Sequence, residues 1–384
     1  MALLDSEPLA ALSSLEPDRL YLFLAGPGEG EGIAVAFPGG GWMLVDGCQT
    51  VNRSNPKFPI EEIFKRYRRG RKDRVELMVL THPHRDHMYG FAELLETLAP
   101  VKVGILGKED PRWILAEEAC AHHKVAGKDS PLKESHKRAH AVLRAIESYA
   151  EDGTLVGLAD GETAFQRETF TVHVRAPDQA LFLEKIRQEG AKAFLGAEAN
   201  CFSLVLEINY ERLTVVLGGD LPKTLSGRPV PTGWDRVLHC YPDLSFHHGL
   251  KLPHHGSAEA LHEELISPMP QRGRAWCVTP YNSSSLPRFG SDDGMRRALQ
   301  GQSPIMLTAL PVSSDHQQKD IVTMSVDEVE RMTQALKLKL PSGSLPHRAA
   351  HRLEPLDPVW AVAFDSQGTV RGRWRGPCAL DVVG

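Results

Sequence analysis

The 384-residue sequence has no CxxC pair, no long apolar run and no strong excess of either charge. Its six cysteines, Cys48, Cys120, Cys201, Cys240, Cys277 and Cys378, are too scattered for a zinc knuckle or a redox pair and read as reduced thiols. No stretch approaches the roughly 20 apolar residues that cross a bilayer. The opening MALLDSEPLAALSSLEPDRL carries acids where a signal peptide carries lysine or arginine. The expectation is a soluble, cytoplasmic chain with no membrane contact. A net charge of −5 excludes a surface that is basic throughout, while leaving room for a local basic groove. GEGEG (28–32) and PGGG (38–41) lack the GK[ST] and the helix that follow a phosphate loop, so they read as hairpin turns. The GxSxG elbow of serine hydrolases is absent too.

What is present is a series of strand patterns interleaved with helices. LYLFLAG (20–26), GIAVAF (32–37) and GWMLVDG (41–47) are apolar runs divided by glycine, as in a meander. Ile60, Ile63, Phe64 and Tyr67 recur at helical spacing over 59–69. VELMVL (75–80) is nearly all apolar and suits a strand buried on both faces. A helix near 90–98 and a strand at 101–106 follow. Residues 108–152 are helical, rich in His and Lys, and read as an insertion. Strand patterns resume at 170–177, 202–208 and 213–220, then at 276–280 and 304–310. The tail holds a helix near 326–336, a linker at 341–351 and a hairpin, VWAVAFDSQGTVRGRW. Such interleaving predicts sheets covered by helices, with chemistry in the loops at the sheet edges.

The loop after VELMVL offers His82, His84, Asp86 and His87 within six residues. Imidazole nitrogen and carboxylate oxygen are donors that zinc, manganese and iron share, and a short loop leaving a rigid strand can aim several at one point. A solvated polar loop is the bland alternative. Four donors at this spacing behind a buried strand weigh against it.

These residues resemble the HxHxDH signature of the metallo-β-lactamase superfamily. Asp46 in LVDG, Asp220 in LTVVLGGD, and His254 and His255 in LKLPHHGS extend the resemblance in the family's order over about residues 20–280. NCFSLVLEI, LGGD, LKLPHHGS and TPYNSSSLP look like the hydrolase domain of the DNA-uptake channel protein ComEC and its soluble relatives. Two departures stand out. That branch usually has aspartate where this chain has His84. The third histidine of the first metal site, due roughly 20–25 residues before the bridging aspartate, is missing; Asn200 and Ser203 occupy that region.

The resemblance implies an α/β chain, an αββα sandwich with a helical insertion (108–152) and a C-terminal extension. The hydrolase domain would span 1–310 and the extension 311–384. It also implies two divalent metal ions, zinc by default and manganese as the alternative. One would take His82, His84 and Asn200, the other Asp86, His87 and His255, with Asp220 between them. His255 is preferred to His254 because the family's ligand directly precedes the glycine. Asp86 and Asp220 would hold and orient a metal-bound hydroxide, with His254 or Lys251 donating a proton to the leaving group. The implied function is a metal-dependent hydrolase, read as a phosphodiesterase or nuclease acting on DNA, RNA or a nucleotide. The alternatives are a hydrolase of a small ester, lactone or thioester, and a metal-binding interaction protein without catalysis.

Other clusters weigh towards structure. FKRYRRGRKDR (64–74) sets seven basic residues against Asp73 alone, but six strand residues put it roughly 20 Å from the donor loop. It reads as a solvated helix end favoured by the helix dipole. His122, His123, His136 and His140 lack a convincing third ligand and read as a solvated face. Lys133, Lys137 and Arg138 in the same segment would suit an anionic substrate. His173 reads as a packed core histidine, and Cys48 and Cys201 as small buried groups. His247, His248, Ser313, Asp315 and His316 are candidates to line the site.

Overall fold

The computed structural model describes residues 5–49, 56–108, 112, 115–116, 131–189, 197–224, 231–267, 274–281, 286–290, 294–301, 304–311, 321, 323–338 and 354–383. Among these, two large sheets face one another. The first takes β1 (Glu7–Pro8), β2 (Leu20–Ala36), β3 (Trp42–Val45), β4 (Cys48–Gln49), β5 (Val75–Leu80), β6 (Lys102–Leu106) and β7 (Leu155–Leu158). From late in the chain it adds β16 (Val359–Phe364) and β17 (Val370–Arg375), in the order β1-β17-β16-β2-β3-β5-β6-β7 with β4 on β2. The second takes β8 (Thr163–Arg167), β9 (Phe170–Ala176), β10 (Val205–Tyr210), β11 (Leu213–Leu217) and β12 (Gly249–Lys251). It is completed by β13 (Ala275–Val278), β14 (Ile305–Leu307), β15 (Thr323–Ser325) and β18 (Leu380–Val383), in the order β15-β18-β14-β13-β12-β11-β10-β9-β8.

Period-two alternation decides which side chains meet between the sheets. Leu22, Val35, Leu77 and Val79 from the first sheet join Val172, Leu206 and Val215 from the second in one core. On the first sheet's outer side, Phe23, Met78 and Leu80 pack under the helices Pro59–Tyr67, Phe91–Leu98 and Pro131–Glu151 through Ile60, Leu94 and Val142. The second sheet's outer side is covered by Gly233–Cys240, Gly294–Gly301 and Val326–Leu338 through Trp234, Met295 and Val329. The result is a four-layer αββα sandwich, the architecture the resemblance implied.

Several expectations change. The strand runs at 20–26 and 32–37 both lie in β2, which turns back on itself between them: a Cβ at Gly26 would lie 3.0 Å from the Gly30 carbonyl and both glycines hold positive φ, while Glu29 and Gly30 also pair with Gln49 and Cys48. The helix Pro131–Glu151 lies in the outer layer between the parallel β6 and β7, with Ala139, Val142 and Ile146 buried. Residues 117–130, with His122 and His123, lie outside the described residues. The hairpin expected in a C-terminal extension supplies β16 beside β2, and the following β18 joins β14 in the second sheet. Its strand is apolar on both sides, with Trp360, Val362 and Phe364 in the inter-sheet core and Val359, Ala361 and Ala363 under the outer helices.

The basic run serves as structure at the end away from the donor loop. Arg69 donates to the carbonyls of Phe37 and Glu16, both at 2.9 Å, and Asp73 accepts from the backbone of Arg69 and from the Trp42 indole. His173 is on the outward face of β9, half-buried beside Thr163 at 3.2 Å, and is not a core residue. His247 and His248 precede β12, whereas His254 and His255 follow it, so the first pair sits at the opposite end from the site. Ser313, Asp315 and His316 lie outside the described residues.

Candidate metal centre

The predicted donors leave the ends of β3, β5, β11 and β12, which puts residues from both sheets at one edge of the sandwich. Two glycines permit the approach. A side chain at Gly47 would overlap the Tyr89 carbonyl, where the donor loop packs back on β3. At Gly219, with φ of 50°, an added Cβ would lie 2.5 Å from the Ser203 hydroxyl, the group that accepts from the Asp220 amide at 2.8 Å. Asp46, His254 and His255 also hold positive φ (59°, 46° and 52°), strain of about 1–3 kcal/mol each that tends to cluster at functional sites.

Asp86, His87, Asp220 and His255 bring donor atoms within 4.8 Å of one another. Asp220 Oδ2 is the hub, 3.3 Å from His87 Nε2, 3.9 Å from His255 Nε2 and 4.0 Å from His82 Nε2. Asp86 Oδ2 lies 3.4 Å from His255 Nε2 and 3.8 Å from His87 Nε2. The His84 ring lies 4.5 Å from that of His82. Asn200 is brought to the cluster's edge, but its amide nitrogen meets His254 Nε2 at 3.1 Å.

Each inner imidazole is fixed through its other nitrogen, which settles where the free one points. His87 Nδ1 bonds Asp46 Oδ2 at 2.7 Å, and Asp46 accepts from both the Thr81 amide and hydroxyl, each at 2.7 Å. His82 Nδ1 has Thr81 Oγ1 at 3.1 Å and Ser203 Oγ at 3.2 Å, and His255 Nδ1 donates to the Thr279 carbonyl at 3.0 Å. Glu31, Asp46 and His87 also cluster, but they form the layer behind the donors.

Does this constellation fit a metal? His82 Nε2, His87 Nε2, Asp220 Oδ1 and Asn200 Oδ1 are buried without a hydrogen-bond partner. An unsatisfied buried polar group costs about 1–3 kcal/mol, and two of these, His82 Nε2 and His87 Nε2, face the same Asp220 Oδ2, which matches the need of a cation. The donors are imidazole nitrogens and carboxylate oxygens, which zinc, manganese and iron accept. Electrostatics agree. Burial, aided by the neighbouring histidines, pushes His82 well below its ordinary pKa, and burial brings His84 down to about 4. Burial also works against charge on His87, but Asp46, Asp220 and Asp86 outweigh it and hold that imidazole well above its usual value. For Asp86 and Asp220, burial opposes ionisation, yet His87 and His255 keep both carboxylates below their usual range.

Lys251 is not placed to donate a proton to a leaving group. Its side chain is fully buried, pairs with Glu31 at 2.6 Å and donates to the Gly219 carbonyl at 3.0 Å. His254 is half-buried, held by Asn200 and by Ser257 Oγ at 3.0 Å. Glu31, Thr81, Thr279 and Tyr281 were not singled out from sequence. Tyr281 stacks on His255 with ring centroids 5.1 Å apart, and it hydrogen-bonds the half-buried Arg85. Among the described residues Cys48, Cys201, Cys240, Cys277 and Cys378 form no disulfide, and burial pushes Cys48 and Cys277 up to about 12.

No protein-family model and no curated protein matches this chain. Solved structures give faint likenesses. A B3 metallo-β-lactamase with an active-site glutamic acid is 14% identical over 63% of this chain and 80% of its own, at a TM-score of 0.32. Igni18, a metallo hydrolase from the archaeon Ignicoccus hospitalis, is 12% identical over 64% and 76%, at 0.30. CmlA, a diiron β-hydroxylase from Streptomyces venezuelae, is 13% identical over 64% and 46%, at 0.29.

Proposed function

We propose that the chain is a metal-dependent hydrolase of phosphodiesters, with DNA, RNA or a nucleotide as substrate. The observation that carries this reading is the buried cluster of Asp86, His87, Asp220 and His255, with the partnerless Nε2 atoms of His82 and His87 facing Asp220 Oδ2. In this reading Asp86, His87 and His255 hold one divalent cation, His82, His84 and Asn200 the other, and Asp220 stands between them. Zinc suits the donor set, and manganese suits the half where an amide oxygen replaces imidazole. Bound divalent ions supply Lewis acidity, which lowers the pKa of water from about 15.7 towards 7 and offsets charge building on a phosphoryl oxygen.

The protein's own groups do the rest. Asp46 and Thr279 aim His87 and His255 inward. His254, steadied by Asn200 and Ser257, is the group placed to pass a proton to a leaving oxygen. Support for an anionic substrate comes from Arg85 in the donor loop and from Arg138, whose guanidinium lies 4.2 Å over the Tyr89 ring just beyond that loop. No helix among the described residues is long and apolar enough to cross a membrane.

The test is a substrate screen on protein reconstituted with Mn²⁺ or Zn²⁺. Bis-p-nitrophenyl phosphate, single-stranded DNA, RNA and cyclic nucleotides are set against a lactone and a thioester. Turnover of a phosphodiester is expected. Turnover of the lactone or thioester alone defeats the substrate reading, and a metal-loaded protein inert on all of them defeats the enzyme reading.

A further inference from the structure

Behind the donor cluster lies a buried ion pair that the reading above leaves idle. Glu31, on β2 of the first sheet, meets Lys251, the last residue of β12 in the second, at 2.6 Å, with the two side chains 1% and 0% exposed. Lys251 Nζ also lies 3.7 Å from Asp220 Oδ1. The other oxygen of Glu31 accepts from the Thr279 hydroxyl and lies 3.6 Å from His255 Nδ1. One pair thus reaches two donors from the rear and joins the sheets beneath them.

Charge alone does not explain the arrangement. A lone ammonium behind Asp220 would repel cations, and a lone carboxylate in the same place would be a buried, unpaired charge. Together they nearly cancel, and what remains is direction. The ammonium lies on the Oδ1 side of Asp220 at 3.7 Å, an ionic contact without a hydrogen bond, and Oδ2 faces His87, His255 and His82. We propose that the Glu31–Lys251 pair is a positioning device that makes Asp220 present one oxygen, Oδ2, to both cations while keeping His255 in line with it. The inference rests on the two-cation reading.

Removing one partner strands a buried charge, so the informative variant removes both: E31Q/K251M. Its metal-free form is expected to melt within a few degrees of the parent. Its Co²⁺ affinity, measured by titration against a chelator, is expected to fall about tenfold or more, as for the outer layer of other metal sites, with a changed visible Co²⁺ spectrum. A merely structural pair would move the melting temperature and leave the spectrum alone. Parental affinity and spectrum in a folded double variant overturn the proposal. Should that variant not fold, Thr279→Val loosens Glu31 by a single donor, while the Thr279 carbonyl still holds His255. Co²⁺ binding weakened about tenfold, the low end of outer-layer effects, is expected there, and unchanged binding overturns the proposal. A parent protein that takes up no Co²⁺ fails earlier, at the two-cation reading itself.

Discussion

Around Asp86, His87 and His255 the support is strong: a carboxylate stands behind His87 and a backbone carbonyl behind His255. Around His82, His84 and Asn200 it is weaker. His82 rests on the hydroxyls of Thr81 and Ser203, and the Asn200 amide nitrogen is turned to His254. A carboxylate raises the basicity of the imidazole it orients, and a hydroxyl does less. On the proposed two-cation reading, the sandwich edge would hold a tight half and a loose half that share Asp220. The loose half is also where the chain departs from the pattern it resembles, so the missing histidine has not been replaced by a more elaborate scaffold.

Asp220→Ala should erase the difference between the halves, because it withdraws the shared oxygen. Activity on the substrate found by the screen is expected to fall by about 10⁴-fold or more, and bound metal to drop below one per chain. His254→Ala should cost about 10²-fold, the lower range for loss of a proton donor, with metal content intact. Equal losses in the two variants, by turnover and elemental analysis, would remove the special place given to Asp220.

Asp46→Asn against Asn200→Ala tests the asymmetry itself. Removing the carboxylate behind His87 should weaken the tighter cation by about 10- to 100-fold. Asn200→Ala should weaken only the looser one, by about tenfold or less. Stepwise metal titration separates the two, and a reversed order would show that the halves are wrongly ranked.

His247, at the far end of β12, offers a control remote from both halves. Burial lowers its pKa to about 3, and its Nε2 has no partner. The unfolded chain binds this proton near the ordinary value of about 6.5, so between these values it carries more protons than the folded state. Stability of metal-free protein should therefore fall as pH drops from about 6.5 to 3, by up to about 1.4 kcal/mol per pH unit from this group. His247→Gln should flatten that part of the profile in urea unfolding and leave cation affinity unchanged. The smallest effect is expected from Lys133, Lys137 and Arg138 changed together to Gln. Arg138 already stacks on Tyr89 and lies 3.8 Å from Glu93, so only a severalfold loss on an anionic substrate is expected, shrinking as salt rises. An unchanged salt dependence would remove these charges from substrate capture.

The donors were legible in the sequence because the chemistry that binds cations uses few residue types, set close together in loops that follow strands. HPHRDH, GGD and HHG all deliver side chains to the edge where they were expected. The supporting layer was not legible. Glu31, Thr81, Lys251 and Thr279 are common residues on separate strands, and only the register of two sheets brings them under the donors. The glycines of GPGEG mark a chain reversal, and the structure adds that Glu29 and Gly30 also pair with β4. In the tail, Val359, Ala361 and Ala363 make only one apolar face. Trp360, Val362 and Phe364 complete a strand apolar on both sides, the mark of a central position.

That central position also governs the order in which the molecule can be assembled. The first part of β2, Leu20–Ala25, takes β16 as its neighbour, with Leu22 opposite Val362. As the chain emerges from the ribosome, this segment of the first sheet waits with an open edge until β16 has been made. Pairings between such distant residues lie among the slow steps of folding, because a long loop must close before the contact forms. An apolar strand left waiting can also pair with another chain. Arrival of β16 and β18, and not formation of the donor loops, is then the event that completes both sheets.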